Sequence, residues 1–456
     1  MKLVYGVKDK PSFGKTLVFA LQQLLAILAA TIAVPAIIGN GMSQSAALFG
    51  AGVGTIVYLL FTKFRSPVFL GSSFAFLGSM AAAFAGGVSA SAGYLGMIIG
   101  AVMAGLVYVV IALIVKFAGV KWISKLMPAV VIGPTVAIIG LSLSGNAIGD
   151  AVGVAKDGSA FVMNAHAGVC LICALVTLAV TMLCSVFGKK MMKMIPFIIG
   201  IVSGYIVASI FTIIGNNTGI DAMKIIDYSA FSNLRWVPSF TFETAFSGGY
   251  DFGDAGSIAS YIGTIAAAYV PVAFVVFAEH IADHKNISTI IEHDLLEDPG
   301  LHRTLLGDGV GSMVGAFFGG CPNTTYGESI GCVAISGNAS VVTILATAIL
   351  AIIASFFAPF VAFLASIPSC VMGGVCISLY GFIAVSGLKM IQDVDLGENR
   401  NLFIVSVILI AGVGGLVLKF GSVTITEVAC ALILGILTNL ILPEKKKADK
   451  DAKETK

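Results

Sequence analysis

FAEHIADHKN (277–286), DPGLHRTLLGDG (298–309) and GGCPNTTYGESIGCVAISG (319–337) make up the stretch on which the fold turns. It sets two carboxylates, Glu279 and Glu328, inside otherwise apolar sequence. An acidic side chain at the centre of a membrane-spanning helix costs about 2.5–3.5 kcal/mol on insertion scales. A chain keeps such a group where it faces a cavity or a partner instead of lipid, so both acids are candidate functional residues. They belong to separate apolar runs, and bringing them to one cavity is a demand on the whole fold.

The surrounding composition agrees. Of 456 residues, 58% are hydrophobic and 11% charged, with a mean hydropathy of +1.01. That is more apolar surface than a soluble domain can hide, and it marks a polytopic protein of the lipid bilayer. A formal net charge of +2 gives no reason to expect a nucleic-acid partner. The first fifteen residues, MKLVYGVKDKPSFGK, are polar and lack a small-residue cleavage site, so no cleaved signal is expected. Eight cysteines are scattered through apolar segments; Cys170 and Cys173 form a CxxC within a helix-length run with no second pair nearby. They read as small residues packing between helices, with no metal site and no disulfide framework.

A span needs about 20 apolar residues. By that rule the first half carries runs at 16–38, 46–62, 68–86, 92–116, 127–146, 167–188 and 195–215. The second carries runs at 257–282, 302–319, 321–337, 339–366, 368–387, 401–418 and 423–442. The expectation is an all-α membrane protein of fourteen spans, split seven and seven by the polar interval 215–256. Lysines and arginines support it. Lys2, Lys8, Lys10 and Lys15, then Lys63 and Arg65, Lys116 to Lys125, Lys189 to Lys193, Lys285 and Arg303, Lys389 and Arg400, and the lysine-rich tail 443–456 all fall on one side. Lys156, Lys224, Arg235 and Lys419 are left for the other. The positive-inside rule then puts both termini in the cytoplasm.

An odd-numbered half, repeated, inverts the second half relative to the first, and inverted repeats are a transporter signature with the site at the midplane. A local trace is present. Gly71-Ser72-Ser73-Phe74-Ala75 in span three matches Asn323-Thr324-Thr325-Tyr326-Gly327 in span ten: two hydroxyl residues, an aromatic, a small residue, each group after a proline (Pro67, Pro322). Both stretches suit extended backbone, so each predicts a short β-strand followed by a half-helix starting near Phe74 or Gly327.

Extended backbone at membrane depth persists only where protein or a cavity satisfies it. Two half-helix tips would aim free N–H groups at one point, where they can donate to ligand carbonyls. Glu328 falls in the first turn of the second half-helix, where the positive end of the dipole favours a carboxylate. Glu279 and Asp283, four residues apart, share one helix face; two such acids repel, and one tends to hold a proton, as proton coupling requires. The alternative for Asp283 is a helix-end pair with Lys285. His280 and His284 read as interfacial residues at that helix end. Asp308 reads as support for the site, bonded to discontinuous backbone. Gln22 and Gln23, in FALQQLLAIL (19–28), are a buried amide pair near the acids. Phe74 and Tyr326 either stack on a flat ring or merely pack, with stacking favoured where both strands converge on the site, and Ser73 adjoins them. The profile is a small planar ligand with alternating N–H and C=O groups. Lys and Arg are absent from spans one, three and ten, which argues against a dedicated anion carrier, and no nucleophile–base pair or HExxH motif suggests an enzyme.

Taken together, QQLLAILAATIAVP (22–35), LGSSFAF (70–76), PVAFVVFAEHIADH (271–284), DLLEDPGLHR (294–303) and AFFGGCPNTTYGESIG (316–331) resemble the nucleobase–ascorbate transporters over essentially the whole chain, and within them the bacterial uracil permeases. The resemblance implies a core domain (1–126 and 257–366) and a gate domain (127–256 and 367–442), a homodimer through the gate domain, and import of uracil by proton symport across the cytoplasmic membrane. It also implies that Glu279, Glu328, Phe74 and the backbone at Gly327 hold the ligand, with the proton as coupling ion and no cofactor or metal. The chain departs from the family in places. Gln22-Gln23 replaces a usual Gln-His, Ser329-Ile330-Gly331 a usual Asn-x-Gly, and Ser336-Gly337 a closing Thr-Arg. Asp283 stands where close uracil permeases can carry His and purine carriers often carry Asp, whereas Glu328 stands where purine carriers commonly have Gln. A xanthine or other purine carrier is therefore the alternative, and an anion exchanger or channel-like relative of similar fold a more distant one.

Overall fold

The computed structural model describes residues 3–442 except 120, 158, 159, 190, 233, 421 and 422. The lysine-rich tail 443–456, Lys2 and Lys190 lie outside the described residues. In chain order the principal elements are α1 (Phe13–Ile38), α2 (Gln44–Phe61), β1 (Leu70–Ser72), α3 (Phe74–Ala83), α4 (Ala90–Ala118), α5 (Ala129–Val152), α6 (Ala165–Phe187) and α7 (Pro196–Thr218). Then come α8 (Ile258–Ile291), α9 (Leu301–Gly319), β2 (Asn323–Thr325), α10 (Gly327–Ser336), α11 (Val341–Ser355), α12 (Ala358–Ser366), α13 (Ser369–Met390), α14 (Asn399–Val413) and α15 (Glu427–Ile441). Among the described residues eight helices are long and apolar enough to cross a bilayer. Other apolar runs form shorter or broken helices for local reasons. Gly71, Ser72 and Ser73 hold the chain extended before α3, and α11 and α12 meet at an 82° bend, where Pro359 opens the second helix.

Two short strands from distant parts of the chain pair antiparallel, with Leu70 opposite Thr325, Gly71 opposite Thr324 and Ser72 opposite Asn323. Bonds from Ser73 N–H to the Pro322 carbonyl (2.9 Å) and from Tyr326 N–H to the Phe69 carbonyl (3.1 Å) extend the ladder at both ends. Their outer edges are met by side chains. Thr55 Oγ1 accepts from Leu70 N–H at 2.9 Å, and Asn323 Nδ2 donates to the Gly50 carbonyl at 3.1 Å. Asn323 reaches that carbonyl because α2 and α9 cross on glycines. A Cβ on Gly50 would sit 2.5 Å from the Gly315 carbonyl oxygen, and one on Gly54 would sit 2.8 Å from that of Gly311. Small residues four apart on both helices permit this close approach, the usual device where lipid offers no hydrophobic drive between helices.

The helices form two packed groups. In one, α2 lies against α9, α11 and α1, and α4 against α9 and α8; in the other, α13 lies against α5 and α6, with α7 on α6 and α14 on α15 and α5. All eight cysteines are free and buried. Cys170 and Cys173 of α6 and Cys370 of α13 lie near one another where the two helices pack.

Two expectations for the stretch around the acids are corrected. Nothing in DHKNISTII breaks the helix, so α8 continues to Ile291 and residues 279–284 lie well inside it. His280 and His284 are accordingly not interfacial; both are fully buried against α9 and α2. Asp308 lies within an unbroken α9 and bonds the His280 ring, not discontinuous backbone.

Candidate functional site

The site grows from the strand pair. Both strands hand over directly to short helices whose starts have no side-chain cap: Ser73 precedes α3 and Tyr326 precedes α10, both extended. The first N–H groups of each therefore receive no bond from the residue before the helix, and in α10 the Glu328 carboxyl accepts from its own backbone N–H. At Gly327 the backbone is open, since a Cβ there would meet no atom within 4 Å. Tyr326 is locked by its hydroxyl, which donates to the Ser72 carbonyl at 2.8 Å, and by its ring, which lies against the bare face of Gly71.

Glu328 projects from the first turn of α10 and Glu279 from mid α8. Together with Phe74, Tyr326, Gly327, Thr324, Thr325, Ile139 and Ile383 they line a pocket of about 40 Å³. Glu279, Asp283, Gly327 and Glu328 also line an adjoining cavity of about 380 Å³, which reaches Asn286, Lys193, Met194, Ser386 and Met390. A third cavity, of about 490 Å³, lies beyond Phe74 and Ile139 and is lined by Asn40, Asn146, Thr426 and Glu427. Phe74 and Ile139 belong to both the small pocket and this third cavity, so they form the wall between them. Phe74 is braced edge-on by Tyr380 of α13, with ring centroids 5.6 Å apart.

Asp283 is bonded by Thr325, whose hydroxyl donates to Oδ2 at 2.7 Å, tying α8 to the strand pair. Gln23 Nε2 donates to Ser329 Oγ at 2.5 Å and to its carbonyl at 3.1 Å, and so holds the residue next to Glu328. Gln22 turns elsewhere, to Met191 Sδ at 2.7 Å, and lines none of these cavities. Ser73 is buried behind the pocket and its Oγ has no partner among the described residues. Asp308 lies behind α8, away from the cavities. Outside the membrane-spanning helices, Arg65 beside Asp298 (2.5 Å) holds that carboxyl below the usual carboxylate range and joins the α2–β1 loop to the α8–α9 loop.

Four contributors carry no sign of their role in the sequence. Asn323 became visible only once α2 and α9 were seen to cross. Lys193 reads in the sequence as a flanking charge, yet it lines the larger cavity. The α13 residues Tyr380 and Ile383 carry no polar signal at all. By contrast the spacing of EHIADH held a clue to the histidines: 279 and 283 make one stripe along a helix, 280 and 284 another.

The pattern of the Permease family, the family of the nucleobase–ascorbate transporters, matches residues 14–419. The chain belongs to this family. It is 42% identical over 453 residues to the uracil permease of Bacillus caldolyticus, covering 98% of this chain and 96% of that protein. It is 38% identical over 458 residues to the uracil permease of Bacillus subtilis (strain 168), covering 99% and 98%. Among solved structures it resembles the transmembrane domain of a cyanobacterium bicarbonate transporter, BicA, with a TM-score of 0.60 and 16% identity over 96% of this chain and 99% of that one. At that identity the likeness concerns the fold alone. Membership makes this a multi-pass membrane permease and not an enzyme, and it gives the uncapped tip at Gly327 and the facing acids a transport setting.

Proposed function

We propose that this chain imports uracil across the cytoplasmic membrane by proton symport. The observation that carries the reading is that Glu279, Glu328 and the open N–H start of α10 at Gly327 line one pocket. Carboxylates accept from ring N–H groups, half-helix N–H groups donate to ring carbonyls, and Phe74 covers the heterocycle. The names of the two Bacillus relatives support uracil as the substrate. Glu279 and Asp283 on one face of α8, both bordering the cavity, supply groups that can take up and release the coupling proton.

The reading also assigns the architecture. We count fourteen membrane segments in a 7+7 inverted repeat, with β1–α3 and β2–α10 as spans three and ten. The group containing α2, α4, α8 and α9 (1–126 and 257–366) is the core domain that carries the site. The group containing α5 to α7 and α13 to α15 (127–256 and 367–442) is the gate, through which two copies pair. Both termini are cytoplasmic, so the cavity bordered by Lys193 faces the cytoplasm and the one bordered by Glu427 faces outward. Rocking of one group against the other past the Phe74–Ile139 wall gives alternating access.

A second reading, a purine carrier on the same fold, is favoured by Asp283 alone. Radiolabelled uptake into cells lacking their own nucleobase permeases decides between them. Saturable uracil uptake that xanthine does not inhibit, and that ceases when the proton gradient is collapsed, is the expected result. Xanthine uptake without uracil uptake rejects the proposal, and gradient-independent accumulation rejects proton symport.

A further inference from the structure

Behind the acids that border the cavity lies a second polar group that transport, as described, does not use. His280 Nδ1 is 2.7 Å from Asp308 Oδ2, and His280 Nε2 is 2.9 Å from Thr304 Oγ1. All three side chains are fully buried. The Thr304 hydroxyl also lies 3.1 Å from the Leu301 carbonyl, so its single proton can go to that carbonyl or to His280 Nε2. With the first arrangement Nε2 carries hydrogen and a second proton bridges Nδ1 and Asp308; with the second Nδ1 carries hydrogen and donates to the Asp308 carboxylate. In both arrangements one proton lies between Nδ1 and Oδ2, because two lone pairs 2.7 Å apart would repel. The other carboxylate oxygen, Oδ1, is buried with no partner among the described residues, which an ionised acid tolerates poorly.

We infer that His280 and Asp308 share a resident proton that stays in place through the transport cycle, so that Asp308 is a positioning residue for α8 and not a carrier of the coupling proton. The inference rests on the proton-symport reading. The pair is sealed: His284, stacked on His280 with ring centroids 4.0 Å apart, closes one side, and Tyr108 of α4 lies edge-on over the His280 ring. The other titratable groups facing it are Tyr58 of α2, and Glu279 and Asp283 of α8. His284 is itself committed. Its Nδ1 lies 2.8 Å from the His280 carbonyl, an acceptor only, so Nδ1 donates and Nε2 meets the Tyr58 hydroxyl at 2.7 Å. Glu279 and Asp283 border the cavity, whereas His280 and Asp308 do not. The mobile proton belongs to the cavity side of α8 and the fixed one to its core side.

The test exploits the amide. In Asp308→Asn, Nδ2–H can donate to His280 Nδ1 in the same place without any titratable proton. Uracil accumulation should stay within about threefold of wild type, with the same pH profile, because one hydrogen bond replaces another. Asp308→Ala, which leaves Nδ1 unpaired beside a void, should lose most uptake, and recovery in Asp308→Asn marks the role as positioning. In purified wild-type protein, proton NMR should show a far-downfield resonance for the shared proton, absent in Asp308→Asn and persistent at every pH across which uptake titrates. The inference is overturned if Asp308→Asn exchanges uracil but no longer accumulates it, if that variant fails to reach the membrane, or if the downfield resonance titrates away together with uptake. Wild-type uptake that ignores the proton gradient would instead unseat the symport reading, while the resonance still reports on the pair.

Discussion

Gly71→Ala is the substitution whose consequence the structure defines most sharply. A Cβ at that position would lie 2.3 Å from Cε2 and Cζ of the Tyr326 ring, whereas ordinary contact begins at 3.4 Å, a deficit of 1.1 Å. The obstacle is a flat, buried ring, not the end of a flexible chain, and its hydroxyl is bonded to the Ser72 carbonyl next door. The ring can move only by opening the β1–β2 ladder or by swinging into the pocket that it shares with Glu279 and Glu328. Overpacking of this kind costs about 1–3 kcal/mol, and loss of the hydroxyl bond about 0.5–1.5 kcal/mol. The two together correspond to a fall of about 10- to 10³-fold in uracil affinity if the site absorbs the strain. Calorimetric titration of purified protein, with a thermal melt on the same sample, measures how the cost divides. Gly71→Ala with Tyr326→Leu should recover part of the loss in melting temperature, since the smaller side chain vacates the space. A Gly71→Ala protein that melts and binds like wild type would refute the claim that the ring fixes the site.

The remaining predictions concern the acids and one surface pair. Glu328→Ala removes the carboxylate that, in the proposed site, accepts from ligand N–H groups; each charge-assisted bond is worth about 1.5–3 kcal/mol, so loss of two should raise Kd by about 10²-fold or more, read by the same titration. Glu279→Gln should abolish accumulation of uracil, and wild-type accumulation in that variant would remove Glu279 from the site. Arg65 lowers the proton affinity of Asp298, so the pair contributes stability above the unfolded carboxylate value and loses it as pH falls through the folded one. The difference in melting temperature between wild type and Asp298→Asn should therefore shrink as pH is lowered past about 4, and a gap that widens on acidification would contradict it.

How much of this was legible in the chain depended on whether the signal was local. An acid in apolar sequence announces itself wherever it packs, which is why Glu279 and Glu328, which line one pocket, stand out in the sequence alone. The stretches at 71–75 and 323–327 carried a local signature as well, because hydroxyl-rich, glycine-containing sequence suits extended backbone. The histidines were misread for want of a helix end: hydropathy falls off after residue 282, but hydropathy does not terminate a helix, and α8 runs nine residues further. Asn323 and the α2–α9 glycines illustrate the opposite limit. Gly50, Gly54, Gly311 and Gly315 are ordinary residues until the two helices touch, and only then does the Gly50 carbonyl become reachable for Asn323. Tyr380 and Ile383 act through shape alone, and shape has no sequence code.

The shared fold with a bicarbonate transporter raises the question of how such a frame can serve a neutral heterocycle. Uncapped half-helix starts present positive ends to the cavity, and that field by itself favours an anion. In this chain two acids stand against it. Glu328 lies in the first turn of α10, directly on the positive end, and Glu279 faces it across the pocket. A carboxylate there offsets the dipole and converts a site that only donates into one that also accepts. A ring bearing both N–H and C=O groups then finds partners for each, and an incoming anion meets like charge. In the proposed symport the acids thus do two things at once: they set the sign of the site, and they provide the groups that a proton can bind. Neutralising Glu328 by Gln should therefore do more than weaken uracil. It should also let small anions compete in a binding titration where wild type is indifferent to them. If chloride or bicarbonate fails to compete in Glu328→Gln while uracil binding has weakened, the dipole argument falls and the carboxylate acts only as a hydrogen-bond acceptor.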